Sequence, residues 1–286
     1  MRWAARYFLA AALSVAGSTL ALAGEGAAHP RVVSLSLCTD QFVLALADPG
    51  QIAGLTAKVG DPVLSPYAAR AAGLPLHDGT AETVLLLKPD LVIAGTFSRG
   101  QTVTMLERLG VPVLRLQTAR TLADIPAQVE QVANALGRGQ EGAALAADLR
   151  ARLVPSGHSL GTAALYRPGG EVPGTRSIVN DMMAAAGLTN IGGRISGRPN
   201  GRVAVESLVL DPPDLLVVDS RRPDRPGIGQ SVMEHPALSG QHAAGAMAVA
   251  EFPLLYWLCS SPASIDGVGV LAGRATQALA MREGAQ

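Results

Sequence analysis

Glu82-TVLLLK-Pro89-Asp90-Leu91-Val92-Ile93 and Glu206-SLVLDP-Pro213-Asp214-Leu215-Leu216-Val217 stand in opposite halves of a 286-residue chain and read alike. In each, a Glu lies seven residues ahead of Pro-Asp, an apolar helical turn separates them, and the Pro-Asp turn feeds a strand of apolar residues. Proline ends the helix because it pushes the residue before it out of helical geometry. Helix, Pro-Asp turn and strand form a common connection when met once. The equal Glu offset in both halves is what predicts two equivalent lobes.

The alternation spreads outward from both segments. In the first half Arg31–Ser36, Ile52–Leu55, Leu91–Ala94 and Pro112–Leu116 read as short buried strands, with helices over Thr39–Ala47 and Gln101–Leu109 between them. Thr39 is the expected N-cap of its helix, and Asp40 puts a negative charge in the first turn, where it suits the dipole. In the second half Ala163–Tyr166, Leu215–Val218 and Met247–Ala250 read as strands, and Ile178–Ala186 as a helix. A last helix runs from Pro262 to about Met281, with Ser261 as cap and Pro262 in its first turn. Strands alternating with helices indicate parallel sheets built from right-handed crossovers.

Between the halves, Ile125, Val129, Val132 and Leu136 recur at helical spacing up to Gly137, and Glu141–Leu153 is again helical until Pro155. About 15 helical residues make a rod of roughly 22 Å, a strut rather than a flexible linker. The expected organisation is an α/β fold of two lobes with central, mostly parallel sheets joined by one long rigid helix. Residues 1–23 form a leader, 24–137 the N-terminal lobe, 138–156 the connecting helix and 157–286 the C-terminal lobe.

Arg2 and Arg6 precede an apolar stretch, Tyr7–Leu22, that holds no acidic residue, and Ala21-Leu22-Ala23 offers the small residues of a cleavage site before Gly24. Ser14, Gly17, Ser18 and Thr19 make this stretch a poor membrane anchor, so it predicts export through a signal peptide. No Cys near the cut points to a lipid anchor. Lys and Arg number 23, as do Asp and Glu, and removing Arg2 and Arg6 leaves a net charge of about −2. Such a surface lacks the surplus of cations that binding to phosphate backbones demands, which argues against nucleic acid as a partner. For the two cysteines, Cys38 and Cys259, a disulfide, two inert buried thiols and a thiolate pair holding a soft metal all stay open. Neither sits in a CxxC or a Cys/His cluster, so structural zinc is a poor fit.

Taken in order, several segments resemble the periplasmic binding proteins that serve vitamin B12, ferric-siderophore and haem ABC importers. They are RVVSLS (31–36), AETVLLLKPDLVIAG (81–95), LERLGVPVL (106–114) and the helical region 121–153 in the first half, then MMAAAGLTNIGG (182–193), VAVESLVLDPPDLLVV (203–218), EHPAL (234–238) and WLCSSP (257–262) in the second. The resemblance covers essentially all of the chain after the leader. It implies a periplasmic, non-catalytic monomer with no resident cofactor or protein-bound metal. Such a protein captures a metal chelate, a ferric siderophore or a cobalamin-like corrinoid, in the cleft between its lobes and delivers it to a membrane permease. It also gives Glu82 and Glu206 a role, one docking carboxylate per lobe facing Arg residues of the permease. Two solvated glutamates that merely favour the dipoles of their helices are the plainer reading.

In parallel α/β lobes, ligands bind beyond the carboxyl ends of the strands. That rule nominates Thr39, Lys58, Phe97 and Arg99 in the first lobe and Tyr166, Arg167, Arg221, Arg222, Tyr256 and Trp257 in the second. Beyond residue 23 the chain holds only seven Phe, Tyr and Trp, and four of them fall in these loops. Rings give a large ligand contact area at low entropic cost, and Arg binds carboxylates or chelating oxygens. Trp257 and Arg99 are expected to be open to the cleft. A disulfide between Cys38 and Cys259 would lock the lobes across it.

Three rival readings remain. A haem receptor would use Tyr166 or Tyr256 as axial ligand. A direct metal-ion receptor needs several His at strand ends, whereas only His77 is near such a loop, and it reads as a surface residue. An exported α/β enzyme of the Ser-His-Asp kind needs a positioned base, yet His29, His77, His158, His235 and His242 are scattered. Neither Gly95–Gly100 nor Gly187–Gly193 forms a dinucleotide or phosphate loop.

Overall fold

The computed structural model describes residues 29–154, 157–219 and 235–284, so the expected leader lies outside the described residues. The N-terminal sheet has five parallel strands in the order β3-β2-β1-β4-β5: β1 (Val32–Ser34), β2 (Ile52–Thr56), β3 (Leu76–His77), β4 (Leu91–Gly95) and β5 (Val113–Leu116). The C-terminal sheet has four, in the order β11-β10-β6-β8, from β6 (Gly161–Tyr166), β8 (Leu188–Asn190), β10 (Leu215–Asp219) and β11 (Ala248–Phe252), again all parallel. Laid side by side, β2-β1-β4-β5 and β8-β6-β10-β11 are one topology used twice. An antiparallel pair that the sequence did not announce, β7 (Glu171–Pro173) with β9 (Asn200–Arg202), is added to the second lobe.

The Pro-Asp segments are where the two lobes match most closely. Asp90 Oδ2 accepts the backbone N–H of Arg31 at 2.9 Å, just ahead of β1, whose Val32 pairs with Leu91. Asp214 Oδ2 accepts the N–H of Thr162 at 2.8 Å, just ahead of Ala163, which pairs with Leu215. In both lobes the Asp therefore fastens the start of the neighbouring strand, a task beyond making a turn. The short helices before these turns, α2 (Ala81–Leu86) and α8 (Val205–Leu210), correspond in the same way.

Helix α1 (Leu37–Leu46) is capped by Ser36, three residues ahead of the expected cap. Ser36 Oγ accepts the N–H of Thr39 at 3.2 Å while Thr39 Oγ1 accepts the N–H of Ser36 at 3.1 Å. Thr39 is thus the third helical residue of a capping box rather than the N-cap. Helix α3 (Gly100–Arg108) leads into β5. Helices α4 (Asp124–Ala135) and α5 (Gly139–Arg152) follow, and α5 fills the segment between the sheets. A strut standing alone would be poorly held, and α5 is not alone: it lies on α4 so closely that a Cβ at Gly142 would meet Ala133 Cβ at 2.1 Å. In the second lobe come α6 (Ile178–Ala185), the short α7 (Gly192–Ser196), then α9 (Pro236–Ala243) and the long α10 (Pro262–Gly284).

One apolar cluster runs through both lobes. It contains Val32, Phe42 and Ile93 of the first, Val129, Val132 and Leu149 of α4 and α5, and Leu165, Met182, Val217 and Leu271 of the second. Polar contacts add to it: the Ser261 hydroxyl donates to Gln41 Oε1, the N–H of Leu122 donates to Asp181 Oδ2 at 3.2 Å, and Arg152 pairs with Asp266. The other faces of the two sheets have their own separate cores. No described helix is long and apolar enough to cross a membrane.

Candidate functional site

Two adjoining cavities of about 680 Å³ each open at the carboxyl ends of the N-terminal strands. The first lies between Thr39, Phe97 and the 117–120 loop on one side and Arg176, Ser177 and Trp257 on the other. The second is lined by Lys58, His77, Asp78 and Arg99 from the first lobe and Arg167 from the second. Ser36, Cys38, Phe97, Leu258 and Cys259 belong to both. Together they form a cleft between the lobes.

The cysteines are joined. Cys38, in the first turn of α1, and Cys259, in the loop ahead of α10, form a disulfide with their Cα atoms 5.1 Å apart, inside the range such a bond allows. It crosses from lobe to lobe in the wall common to the two cavities. Of the three alternatives left by the sequence, the locking bond is the one present.

Phe97 is 75% exposed, so its ring stands free where the cavities meet. Lys58 and Arg99 are exposed on the second cavity. Arg167 is half-buried. Its guanidinium lies 4.5 Å from the centre of the Trp257 ring, close enough for a cation–π contact, and binds Glu171 at 2.9 Å. Trp257 is therefore covered rather than open: it is buried, although it contributes to the wall of the first cavity. Thr39 is buried too, with its hydroxyl held by Ser34 and Ser36.

Two other expected contacts do not reach the cleft. Tyr166 ends β6 inside the second-lobe core, with its hydroxyl directed at Val203 O, 3.5 Å away. Tyr256 stacks on Phe252 at 5.8 Å and presses on Gly267, where a Cβ would come within 2.6 Å of its own. Packing turns both side chains away from the cleft, because Tyr166 is the last strand residue and faces its own core, and Tyr256 stacks within its lobe. Arg221 and Arg222 lie outside the described residues.

Other cleft residues were not anticipated. Arg120 belongs to the loop after β5, which the strand-end rule would have nominated had it been applied to that strand. Arg176 sits in the turn that links β7 to α6, and the small antiparallel pair gave no signal beforehand. With these two included, Lys58, Arg99, Arg120, Arg167 and Arg176 face Asp78, the one carboxylate among the described residues that line the two cavities. Hydrogen bonds from Thr80 and Thr83 hold Asp78 ionised, down at about 2.

Behind the second cavity His77 is not a surface residue. It belongs to β3, is buried, and holds Ser34 O through Nε2 at 2.8 Å while Nδ1 accepts the N–H of Gly79 at 3.0 Å. That pattern places its proton on Nε2, and burial lowers its pKa. Asp40 is fully enclosed. Burial pushes its carboxyl up to about 7, against the hydrogen bonds it accepts from Thr56.

Gly157-His158-Ser159-Leu160-Gly161 has the spacing of a hydrolase nucleophile motif, but it precedes β6 instead of turning from a strand into a helix. Gly137-Arg138-Gly139-Gln140-Glu141-Gly142 has the spacing of a dinucleotide loop, yet it joins two helices, α4 and α5. Among the described residues no three His, Cys, Asp or Glu side chains gather as a metal-ion site.

Known proteins share this architecture. The periplasmic heme-binding protein RhuT of Roseiflexus sp. RS-1, in its apo form, superposes with a TM-score of 0.70 at 22% identity, over 88% of this chain and 99% of that one. The vitamin B12-binding protein BtuF of Vibrio cholerae does so with a TM-score of 0.65 at 17% identity, over 87% and 98%. In sequence, a cobalamin-binding protein of Halobacterium salinarum is 26% identical over 197 residues, 65% of this chain and 53% of that one, so the chain spans about half the length of this relative. The family model described as periplasmic binding protein matches residues 32–253, from the first residue of β1 to just past β11. Twin parallel sheets, the helix between them and a cleft walled by both lobes are thus accounted for together: the chain belongs to the periplasmic binding protein family.

Proposed function

We propose that the protein is the non-catalytic solute-binding component of an ABC importer, which captures an anionic metal chelate in the interlobe cleft and hands it to a membrane permease. The surplus of cations in the cleft is the observation that carries this reading. Among the described lining residues, five Lys and Arg side chains against one carboxylate, in a chain with 23 of each charge, favour a ligand rich in anionic oxygens. Guanidinium groups meet such oxygens in pairs, and the free Phe97 ring supplies a flat apolar face. A ferric siderophore with carboxylate or catecholate arms fits both. Lys58, Phe97, Arg99 and Arg167 are its first contacts, with Arg120 and Arg176 added.

A cobalamin-like corrinoid is the second reading, favoured by the Halobacterium relative. Haem held by tyrosine is disfavoured because Tyr166 and Tyr256 turn away from the cleft. A bare metal ion would need a cluster of protein donors that the described residues do not form. The exposed Glu82 and Glu206 support docking at the permease, one per lobe. The leader and the family support a periplasmic location, and the protein acts as a monomer.

Calorimetric titration with ferric citrate, a ferric tris-catecholate, cyanocobalamin and hemin at low and high salt tests the ligand class. A ferric chelate is expected to bind tightest, with an affinity that falls as salt rises and drops about tenfold in Arg99→Ala, a loss of roughly 1.4 kcal/mol. Tight, salt-independent binding of the corrinoid with none of the ferric chelates would overturn the choice. Charge reversal at Glu82 and Glu206 together is expected to abolish uptake and leave ligand affinity intact.

A further inference from the structure

Helices α2 and α8 present more than a carboxylate each. One turn beyond Glu82 stands Leu86, and one turn beyond Glu206 stands Leu210. Residues four apart on a helix are neighbours on one face, so each Glu shares its exposed face with a Leu. The residue midway behaves oppositely, since Val84 and Leu208 are wholly buried. Leu86 is 80% exposed and Leu210 86%, the two highest values among the large apolar side chains described.

A single exposed leucine calls for no explanation. Two of them at equivalent positions of a repeated helix, each beside an exposed carboxylate, form a pattern. A partner that meets both copies has to offer the same recognition twice, as two like subunits do. The carboxylates select cationic side chains in that partner, while the leucines gain by leaving water.

We propose that Leu86 and Leu210 are paired apolar anchors that seat the protein on two equivalent halves of its membrane permease, each entering an apolar recess beside a basic side chain. The proposal rests on the reading of Glu82 and Glu206 as docking residues and adds the source of affinity to it. Charge sets orientation and encounter rate, whereas burial of the two leucines slows release.

The test is co-sedimentation of the purified protein with right-side-out membrane vesicles from the producing cell. Leu86→Gln with Leu210→Gln, and separately Glu82→Gln with Glu206→Gln, are compared with the unmodified protein across a range of salt. Both leucines are exposed, so the melting midpoint and the affinity for the ferric chelate are expected to be unchanged in the Leu variants. Each Leu replacement should weaken vesicle binding about tenfold and the pair about a hundredfold. The residual binding should keep its salt dependence, and Leu→Met at both sites should restore the affinity. The Glu pair should weaken binding and flatten its salt dependence.

Full-strength binding by the Leu pair beside failure of the Glu pair would remove the anchors and leave the docking reading standing. Unchanged binding by the Glu pair would remove that reading and the proposal with it. Equal binding of the unmodified protein to protein-free liposomes of the same lipids, or a dimer in sedimentation velocity that the Leu pair abolishes, would show that lipid or a second copy covers the patch and would likewise overturn the proposal.

Discussion

The two lobes share a strand order and a Pro-Asp clasp, yet they treat the ends of their strands differently. In the N-terminal lobe those ends are open, with Phe97, Lys58 and Arg99 standing out over a buried polar layer of Ser34, Thr39, Asp40 and His77. In the C-terminal lobe the corresponding rings are shut in: Tyr166 lies in the core, Tyr256 on Phe252, and Trp257 under Arg167. Both lobes keep what holds a sheet together, namely branched apolar strands and an Asp that fastens the adjacent strand. Their loops differ, because connecting segments are less constrained by packing than the strands they join. The first lobe thus offers the wall with the free ring, and the second offers the Arg167 guanidinium, fixed between Glu171 and Trp257.

Four measurements would break or sharpen that contrast. The largest effect is expected at the bond between the lobes. Cys38→Ser with Cys259→Ser removes a cross-link between residues 221 apart, and loss of such a bond costs about 2–5 kcal/mol. Guanidinium unfolding should show it. If the lobes are as closely fused as the shared core implies, the transition stays single; two separate transitions would mean that the bond, and not the core, couples them.

Next comes Asp40, a buried acid of the first lobe, beside Asp219 of the second, which burial raises to about 6 against the pull of Arg167. The Asp40 carboxyl titrates near 7 when folded and near 3.8 when unfolded, so the folded state holds the extra proton between those values. Stability therefore falls as pH rises through that window, by up to about 1.4 kcal/mol per pH unit for one proton. Asp40→Asn should flatten that slope in urea unfolding measured from pH 4 to 7, and an unaltered slope would refute the burial account.

The clasps give a smaller and unequal pair. Asp214 accepts hydrogen bonds from Thr162 N–H and Oγ and from Arg282, whereas Asp90 accepts one from Arg31 N–H. Asp214→Ala is expected to cost about 2 kcal/mol and Asp90→Ala about 1. Equal losses would mean that the additional contacts of the second lobe carry no weight.

The smallest effect is expected in shape. With Cys38–Cys259, Gln41–Ser261 and a continuous core crossing the boundary, ligand binding should leave the radius from X-ray scattering nearly unchanged. A large contraction would place the protein with hinge-closing receptors.

Much of this was legible in the sequence. The strands at 31–36, 52–55, 91–94, 163–166 and 215–218 were readable because parallel strands buried on both faces form near-continuous apolar runs. The repeated Glu and Pro-Asp offset gave the two lobes. The β3 strand, two residues long, and the β7–β9 pair were not readable, because elements of two or three residues leave no periodic trace. Nor could a list of residues tell that Arg167 would cover Trp257, or that His77 would turn inward to Ser34 O. Loop position follows from chain order, but side-chain direction is decided by packing between segments far apart.

The bond in the cleft wall also imposes an order of events on biosynthesis. A chain that emerges amino end first exposes Cys38 early, and its partner arrives only after 221 further positions, with the last helix still to come. Until then the pocket has half a wall and an unpaired thiol. Oxidation has to wait for nearly the whole polypeptide, so a version cut short before Cys259 could not complete the cleft wall, however well its first sheet had formed.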